Sequence, residues 1–252
     1  MTNPTHDRAR GLGDILRDIT EGLKDAPRVA DGDICPKCSD LTGTSAVMNP
    51  QYACKCESKA QEALSRRFTL ANLPTRGEKH VFETYEIKKG NMEALQAAKN
   101  FAAGTGPAML VLHGSMGTGK SHLLESVGWS LLADGNTPHY AMVPELLDRI
   151  KATFNDKPGE TTEDVLSYYR GVHTLLLDDF GTEKATDFVA EKLTSLIDER
   201  YRNGRRLMIT TNLGRAAMEI KGYDRLADRL FDQTSGDVLS IYTGSKSNRR
   251  TG

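Results

Sequence analysis

Three short stretches carry side chains with the types and spacing for phosphate chemistry. The first is Gly114-Ser-Met-Gly117-Thr118-Gly119-Lys120-Ser121, which fits G-x-x-x-x-G-K-[ST] at every fixed position. Glycines let the backbone turn its N–H groups onto a polyphosphate. Lys120 supplies a cation for the β- and γ-phosphates, and Ser121 offers a hydroxyl to Mg²⁺. An apolar run, Leu110 to Leu112, precedes the loop, and an amphipathic segment with Leu123, Leu124, Val127 and Leu131 follows it. A strand and a helix in those places would aim the helix's positive end at the anion. The expectation is a nucleoside triphosphate site. The second stretch, Leu175-Leu-Leu-Asp178-Asp179, is an apolar strand ending in two carboxylates. On a strand next to the phosphate-loop strand, Asp178 would reach the magnesium shell and Asp179 would polarise the attacking water. The third, Leu207-Met-Ile-Thr210-Thr211-Asn212, puts an amide at a strand tip. Asn212 would reach the γ-phosphate or the water, or cap a helix beginning at Gly214.

Two further groups have chemical spacing. Cys35-Pro-Lys-Cys38 and Cys54-Lys-Cys56 contain all four cysteines of the chain. Two close thiolate pairs joined by a loop suit a tetrahedral Cys₄ zinc site; free buried cysteines or a redox pair are the alternatives. A closed Cys₄ site has no open position, so its zinc would fold the module and take no part in chemistry. Arg225 and Arg229 lie four apart and share a helix face. They are either offered to a neighbouring copy's nucleotide or paired with Asp224 or Asp228.

The elements that must position these residues can be read from periodicity. Leu12, Ile15, Leu16, Ile19 and Leu23 have the spacing of one helical face that ends at Pro27. That stripe would pack on this chain or on a partner. Residues 57–72 read as a helix, 74–90 as a linker and 91–103 as a helix. From there apolar strands alternate with helices: a strand at 139–143, helices near 144–154 and 187–202, a strand at 206–211, a helix at 223–231 and a last strand near 237–242. That rhythm predicts a parallel sheet flanked by helices. The expected domains are a helix plus zinc module at 1–74, a linker at 75–90 and an ATPase domain at 91–252.

Composition sets limits. The 252 residues suffice for one sizeable α/β domain and a smaller appendage. The N-terminus lacks the apolar core of a signal peptide and no run approaches a membrane span, so a cytoplasmic, non-membrane protein is expected. Net charge is −1, so nucleic-acid binding would need a local patch.

GTGKSHLL, LLLDDFG, ITTN and DRL, in this order and spacing, resemble the helicase-loader group of AAA+ ATPases, the DnaC/DnaI type, and its relatives the IstB transposition ATPases. The resemblance covers about residues 78–250, and the cysteine module is similar to the N-terminal region of zinc-bearing loaders. It implies an AAA+ P-loop fold, with ATP, Mg²⁺ and Zn²⁺ as cofactors, and ATP hydrolysis, expected to be slow and switch-like because the Asp179 carboxylate is shorter than a glutamate's and holds the water less directly. Gly114, Gly117, Thr118, Gly119, Lys120, Ser121 and His122 would hold the nucleotide, with Asp178 and Asp179 as the Walker B acids. Asn212 would be sensor 1, Arg229 the arginine finger and Arg249 a sensor 2. Many AAA+ proteins carry Glu where this chain has Asp179. The sequence stops about ten residues after its last expected strand, so no C-terminal lid is expected. Partners implied are a hexameric replicative helicase, single-stranded DNA and further copies of the chain. The single strand needs cations and aromatic faces. Arg149, Lys151 and Phe154 form one candidate site, and Lys184, Thr186 and Phe188 another. The alternative reading is an IstB-like helper of a transposase.

Overall fold

The computed structural model describes residues 65–75, 80–87, 91–154, 159–184, 186–234 and 236–245. The chain divides into two units, Met1–Leu70 and Ala71–Gly252; the architecture below is that of the second. The N-terminal amphipathic stripe, the four cysteines and Arg249 lie outside the described residues.

A short 3₁₀ helix, Phe82–Thr84, leads to α1 (Met92–Ala103), β1 (Met109–His113), α2 (Lys120–Ala133), β2 (Pro138–Met142), α3 (Val143–Ala152), α4 (Thr162–Gly171) and β3 (Thr174–Phe180). The chain continues through α5 (Asp187–Arg202), β4 (Arg206–Thr211), α6 (Arg215–Ile220), α7 (Asp224–Phe231) and β5 (Val238–Tyr242). All strand pairs are parallel, in the order β2-β3-β4-β1-β5. The expectation that the Asp178 strand adjoins the phosphate-loop strand is corrected here, because β4 lies between β3 and β1.

The central strands read as unbroken apolar runs because both faces of the sheet are covered. Side chains alternate with period two. Met109, Val111, Leu175, Leu177, Leu207 and Ile209 join one core with residues of α3, α4, α5 and α7. Their neighbours Leu110, Leu112, Leu176 and Met208 are equally buried on the opposite face, where α2 packs. A Cβ on Gly128 of α2 would lie 2.5 Å from Leu73 and 3.0 Å from Leu176, so this helix sits closer to the sheet than a side chain would permit.

Local signals set the boundaries. α1 ends on Gly104 in the left-handed region, and α4 begins with a Thr161–Asp164 capping box. Thr186 caps α5 by accepting from the Val189 N–H. Arg200, fully buried, donates to the carbonyls of Tyr169, Arg170, Val172, His173 and Arg206, fastening the end of α4 to the starts of β3 and β4. In such folds ligands gather at the carboxyl ends of the strands, and here those ends carry Gly114, Asp178, Asp179 and Asn212.

Candidate nucleotide site

A cleft of about 840 Å³ opens at the carboxyl ends of the strands, lined by Met116, Gly117, Gly119, Lys120, Ser121, Asp178, Asp179 and Asn212 among others. Its size suits a small-molecule ligand. The β1–α2 loop forms one wall. Gly119 stands at the start of α2 with φ +94°, and an added Cβ would sit 2.8 Å from the Tyr85 ring. Strain and collision both exclude a larger residue there. Thr118, expected among the nucleotide contacts, does not line the cleft. Its buried hydroxyl donates to the Ser115 carbonyl and shares a 2.7 Å hydrogen bond with Thr243, bracing the loop from beneath.

Lys120 is 6% exposed and donates to the carbonyls of Gly114 and Ser115, both at 2.8 Å, and to Asn212 Oδ1 at 2.9 Å. All three acceptors are neutral. Burial pulls its ammonium below the ordinary lysine range, while Asp179 and Asp178 pull it back up. A buried ammonium held by neutral acceptors fits an incoming anion. Asn212 reaches the cleft, and the helix that follows it starts at Gly214 without a side-chain cap, so the capping role considered for Asn212 is not used.

Asp178, 3% exposed, takes hydrogen bonds on both oxygens. Ser121 Oγ and Thr210 Oγ1 donate to Oδ1, and Tyr140 OH donates to Oδ2 at 2.9 Å. Asp179 is half-buried with φ +54°, an uncommon conformation for a residue with a side chain. Burial raises its carboxyl above the usual aspartate range, the Asp178 charge raises it further, and Lys120 opposes both. Ser121 and Asp178, 2.9 Å apart, form a hard oxygen donor set of the kind Mg²⁺ takes. Among the described residues no cluster of three or more His, Cys, Asp or Glu side chains is arranged around a metal; a magnesium site that leans on substrate phosphates needs none.

The segment expected to be linker supplies another wall. His80, Thr84, Tyr85 and Glu86 line the cleft, and Tyr85 is buried. His122, the residue after Ser121, stacks on His80 at 4.4 Å and lies edge-on to Tyr85. Its Nε2 is 2.9 Å from the Val81 carbonyl. These residues, together with Tyr140 and Thr210, escape a reading from sequence. Isolated aromatics in a polar stretch carry no periodicity.

Arg229 is not brought to the cleft. It bonds Asp198 at 3.0 Å and lies over the Tyr201 ring at 4.3 Å, so its acid is neither Asp224 nor Asp228. Asp228 instead pairs with Arg215. The two expected single-strand sites merge. Phe154, beyond the end of α3, and Phe188, in the first turn of α5, meet edge to face at 5.3 Å. Arg149 and Lys151 are each paired with an acid, Glu160 and Asp148. Lys192 lies over the Phe188 ring at 5.3 Å.

Residues 77–234 match the model of the bacterial DnaA ATPase domain. The chain belongs to that family. Among curated relatives, the replicative helicase loader DnaC of Buchnera aphidicola (subsp. Baizongia pistaciae) is 28% identical over 152 residues, 59% of this chain and 62% of that protein. The matched stretch thus spans less than two thirds of that relative. YdaV of Escherichia coli (strain K12), an uncharacterised protein, is 31% identical over 59% of this chain and 60% of its own length. Among solved structures, a DnaC helicase loader superposes with TM-score 0.53 at 22% identity, covering 65% of this chain and 96% of that one. These likenesses agree with the AAA+ fold of the DnaC type that the motifs imply. No helix of the described residues is long and apolar enough to cross a membrane.

Proposed function

We propose that the protein is an ATP-dependent loader that places a hexameric replicative helicase on single-stranded DNA. The observation that carries the nucleotide half is the convergence of Lys120, Ser121, Asp178, Asp179 and Asn212 on one cleft. The partner half is supported by relatives named replicative helicase loaders.

In this reading the loop from Gly114 to Gly119 and the first turn of α2 cradle the phosphates of ATP. Lys120 exchanges carbonyl acceptors for phosphate oxygens. Magnesium, when bound, neutralises charge on the β- and γ-phosphates, and Ser121 with Asp178 would hold it. Asp179 in its ionised form takes the proton of the attacking water, and Asn212 orients that water or the γ-phosphate. His122, through His80 and Tyr85, holds the wall formed by residues 80–86. ATP acts as a switch because it binds one state of the loader better than the other. Arg229 leaves Asp198 to act on a neighbouring copy's nucleotide. Phe154 and Phe188 offer ring faces to bases, with Thr186 fixing the start of the helix that carries Phe188. The region 1–74 grips the helicase, its zinc held by Cys35, Cys38, Cys54 and Cys56. Residues 75–90 join that region to the ATPase core at 91–252 and, through His80, Tyr85 and Glu86, also wall its cleft; Arg249 completes the nucleotide contacts, and the protein acts in the cytoplasm.

The test is co-purification with a replicative helicase, with zinc measured on the same sample. A stable complex lost in the Cys35→Ser/Cys38→Ser variant is the expected result. No helicase complex, or capture of a transposase in its place, would overturn the loader reading.

A further inference from the structure

Between β3 and β4 the ladder slips: Leu177 pairs with Ile209 and Phe180 with Thr211. Two residues, Asp178 and Asp179, therefore face a single one, Thr210. This two-against-one count is a β-bulge, which leaves an extra residue without its ladder partner. The extra residue is Asp179, at φ +54°. Its N–H finds the Thr210 hydroxyl at 3.1 Å and Asp178 Oδ1 at 3.1 Å instead of a backbone carbonyl. The same hydroxyl spends its own proton on Asp178 Oδ1. Thr210 is fully buried, and its β-branch restricts χ1 and so the direction of that hydroxyl.

We propose that Thr210 is the positioning residue that sets both acids of the site, standing in for the missing ladder partner of Asp179 while orienting the carboxylate of Asp178. The role rests on the ATPase reading above. β2 and β4 flank β3, so Tyr140 and Thr210 hold Asp178 from opposite sides, one oxygen each. Thr210 alone of the two also bonds the Asp179 backbone. Removal of its hydroxyl takes from Asp178 Oδ1 its donor on β4, leaving those of Ser121 and the Asp179 N–H, and loosens the left-handed backbone that presents the second acid.

The test compares Thr210→Val, which keeps the shape and removes the hydroxyl, with Thr210→Ser, which keeps the hydroxyl, and with Tyr140→Phe. In steady-state hydrolysis Thr210→Val is expected to lower kcat about tenfold or more while KM for ATP moves by less than about threefold. Thr210→Ser restores kcat to within about threefold of wild type, and Tyr140→Phe falls between the two. A second readout does not need turnover: Mg²⁺ tightens binding of a fluorescent ATP analogue to wild type and to Thr210→Ser, and does so about fivefold less for Thr210→Val. Thr210→Val matching wild type in both readouts, or Thr210→Ser failing as badly as Thr210→Val, would overturn the assignment. Lys120→Ala in the same assays separates the two readings. If it binds and hydrolyses ATP like wild type, the nucleotide reading falls, and the role of Thr210 with it.

Discussion

The floor of the cleft and a separate surface rim, the ring pair of Phe154 and Phe188 that does not line the cleft, are built in opposite ways. On the floor the polar groups are held from several elements. Asp178 has side-chain donors from β2, β4 and α2, Lys120 has three acceptors, and the Asp179 backbone is fixed at φ +54° in the β3 bulge by two acceptors on its N–H. On the rim Phe154 is 56% exposed and leans on another ring, while Arg149 and Lys151 are committed to acids. Phosphate chemistry needs groups that do not reorganise during reaction. A surface that takes up bases needs open ring faces and tolerates looseness. Under the proposed function the contrast sets a preorganised phosphate site against a more open patch for bases.

Variants of the two regions should therefore separate cleanly. The largest effect is expected of Lys120→Ala, which should lose both binding and turnover. Loss of a buried, hydrogen-bonded charge from a binding site costs about 2–5 kcal/mol, so affinity for an ATP analogue should fall about thirtyfold or more in a fluorescence titration. Asp179→Asn comes next. Turnover should drop about a hundredfold or more, with analogue affinity nearly unchanged. Asparagine tolerates the left-handed region and carries no charge to bury, so the same variant should melt at a higher temperature than wild type at neutral pH. The raised Asp179 carboxyl also fixes a direction for pH. Its reactive form is the carboxylate, and a raised pKa means it is protonated earlier on acidification. The acid limb of the rate profile should lie above the pKa of free aspartate, about 3.9, and should be absent from the residual rate of Asp179→Asn.

The rim gives smaller and complementary effects. Phe154→Ala and Phe188→Ala should each weaken single-stranded DNA binding by about 1–3 kcal/mol, measured by anisotropy, and leave ATP affinity unchanged. Loss of ATP binding in either variant would break the separation of floor and rim. The smallest effect is expected of Asp198→Asn. The pair with Arg229 is only partly buried, so stability should change by about 1 kcal/mol in denaturant unfolding. If Arg229 serves a neighbouring copy, freeing it should raise turnover at high protein concentration.

How much was legible in the sequence follows the same division. The loop from Gly114 to Ser121 and the pair Asp178-Asp179 are contiguous in the chain, so their chemistry is written in order. The helix Asp187–Arg202 and the strand Arg206–Thr211 coincide with their expected bounds because Thr186 and the turn at Asn203-Gly204 punctuate them. Strand order was not legible. Placing β4 between β1 and β3 is a tertiary choice that no local pattern encodes. For the same reason Tyr140 and Thr210 escaped notice: each looks like an ordinary strand residue until the sheet sets it beside Asp178. Tyr85 and His80 were hidden in a stretch with no period. The acid that holds Arg229 lies on a different helix, beyond the reach of i, i+4 reasoning.

The most direct test of the central claim is titration of a fluorescent ATP analogue into wild type and Lys120→Ala, with and without Mg²⁺. Saturable binding to wild type that Mg²⁺ tightens, and its loss in Lys120→Ala, is the predicted result. Equal binding by both proteins, or none by wild type, would contradict it.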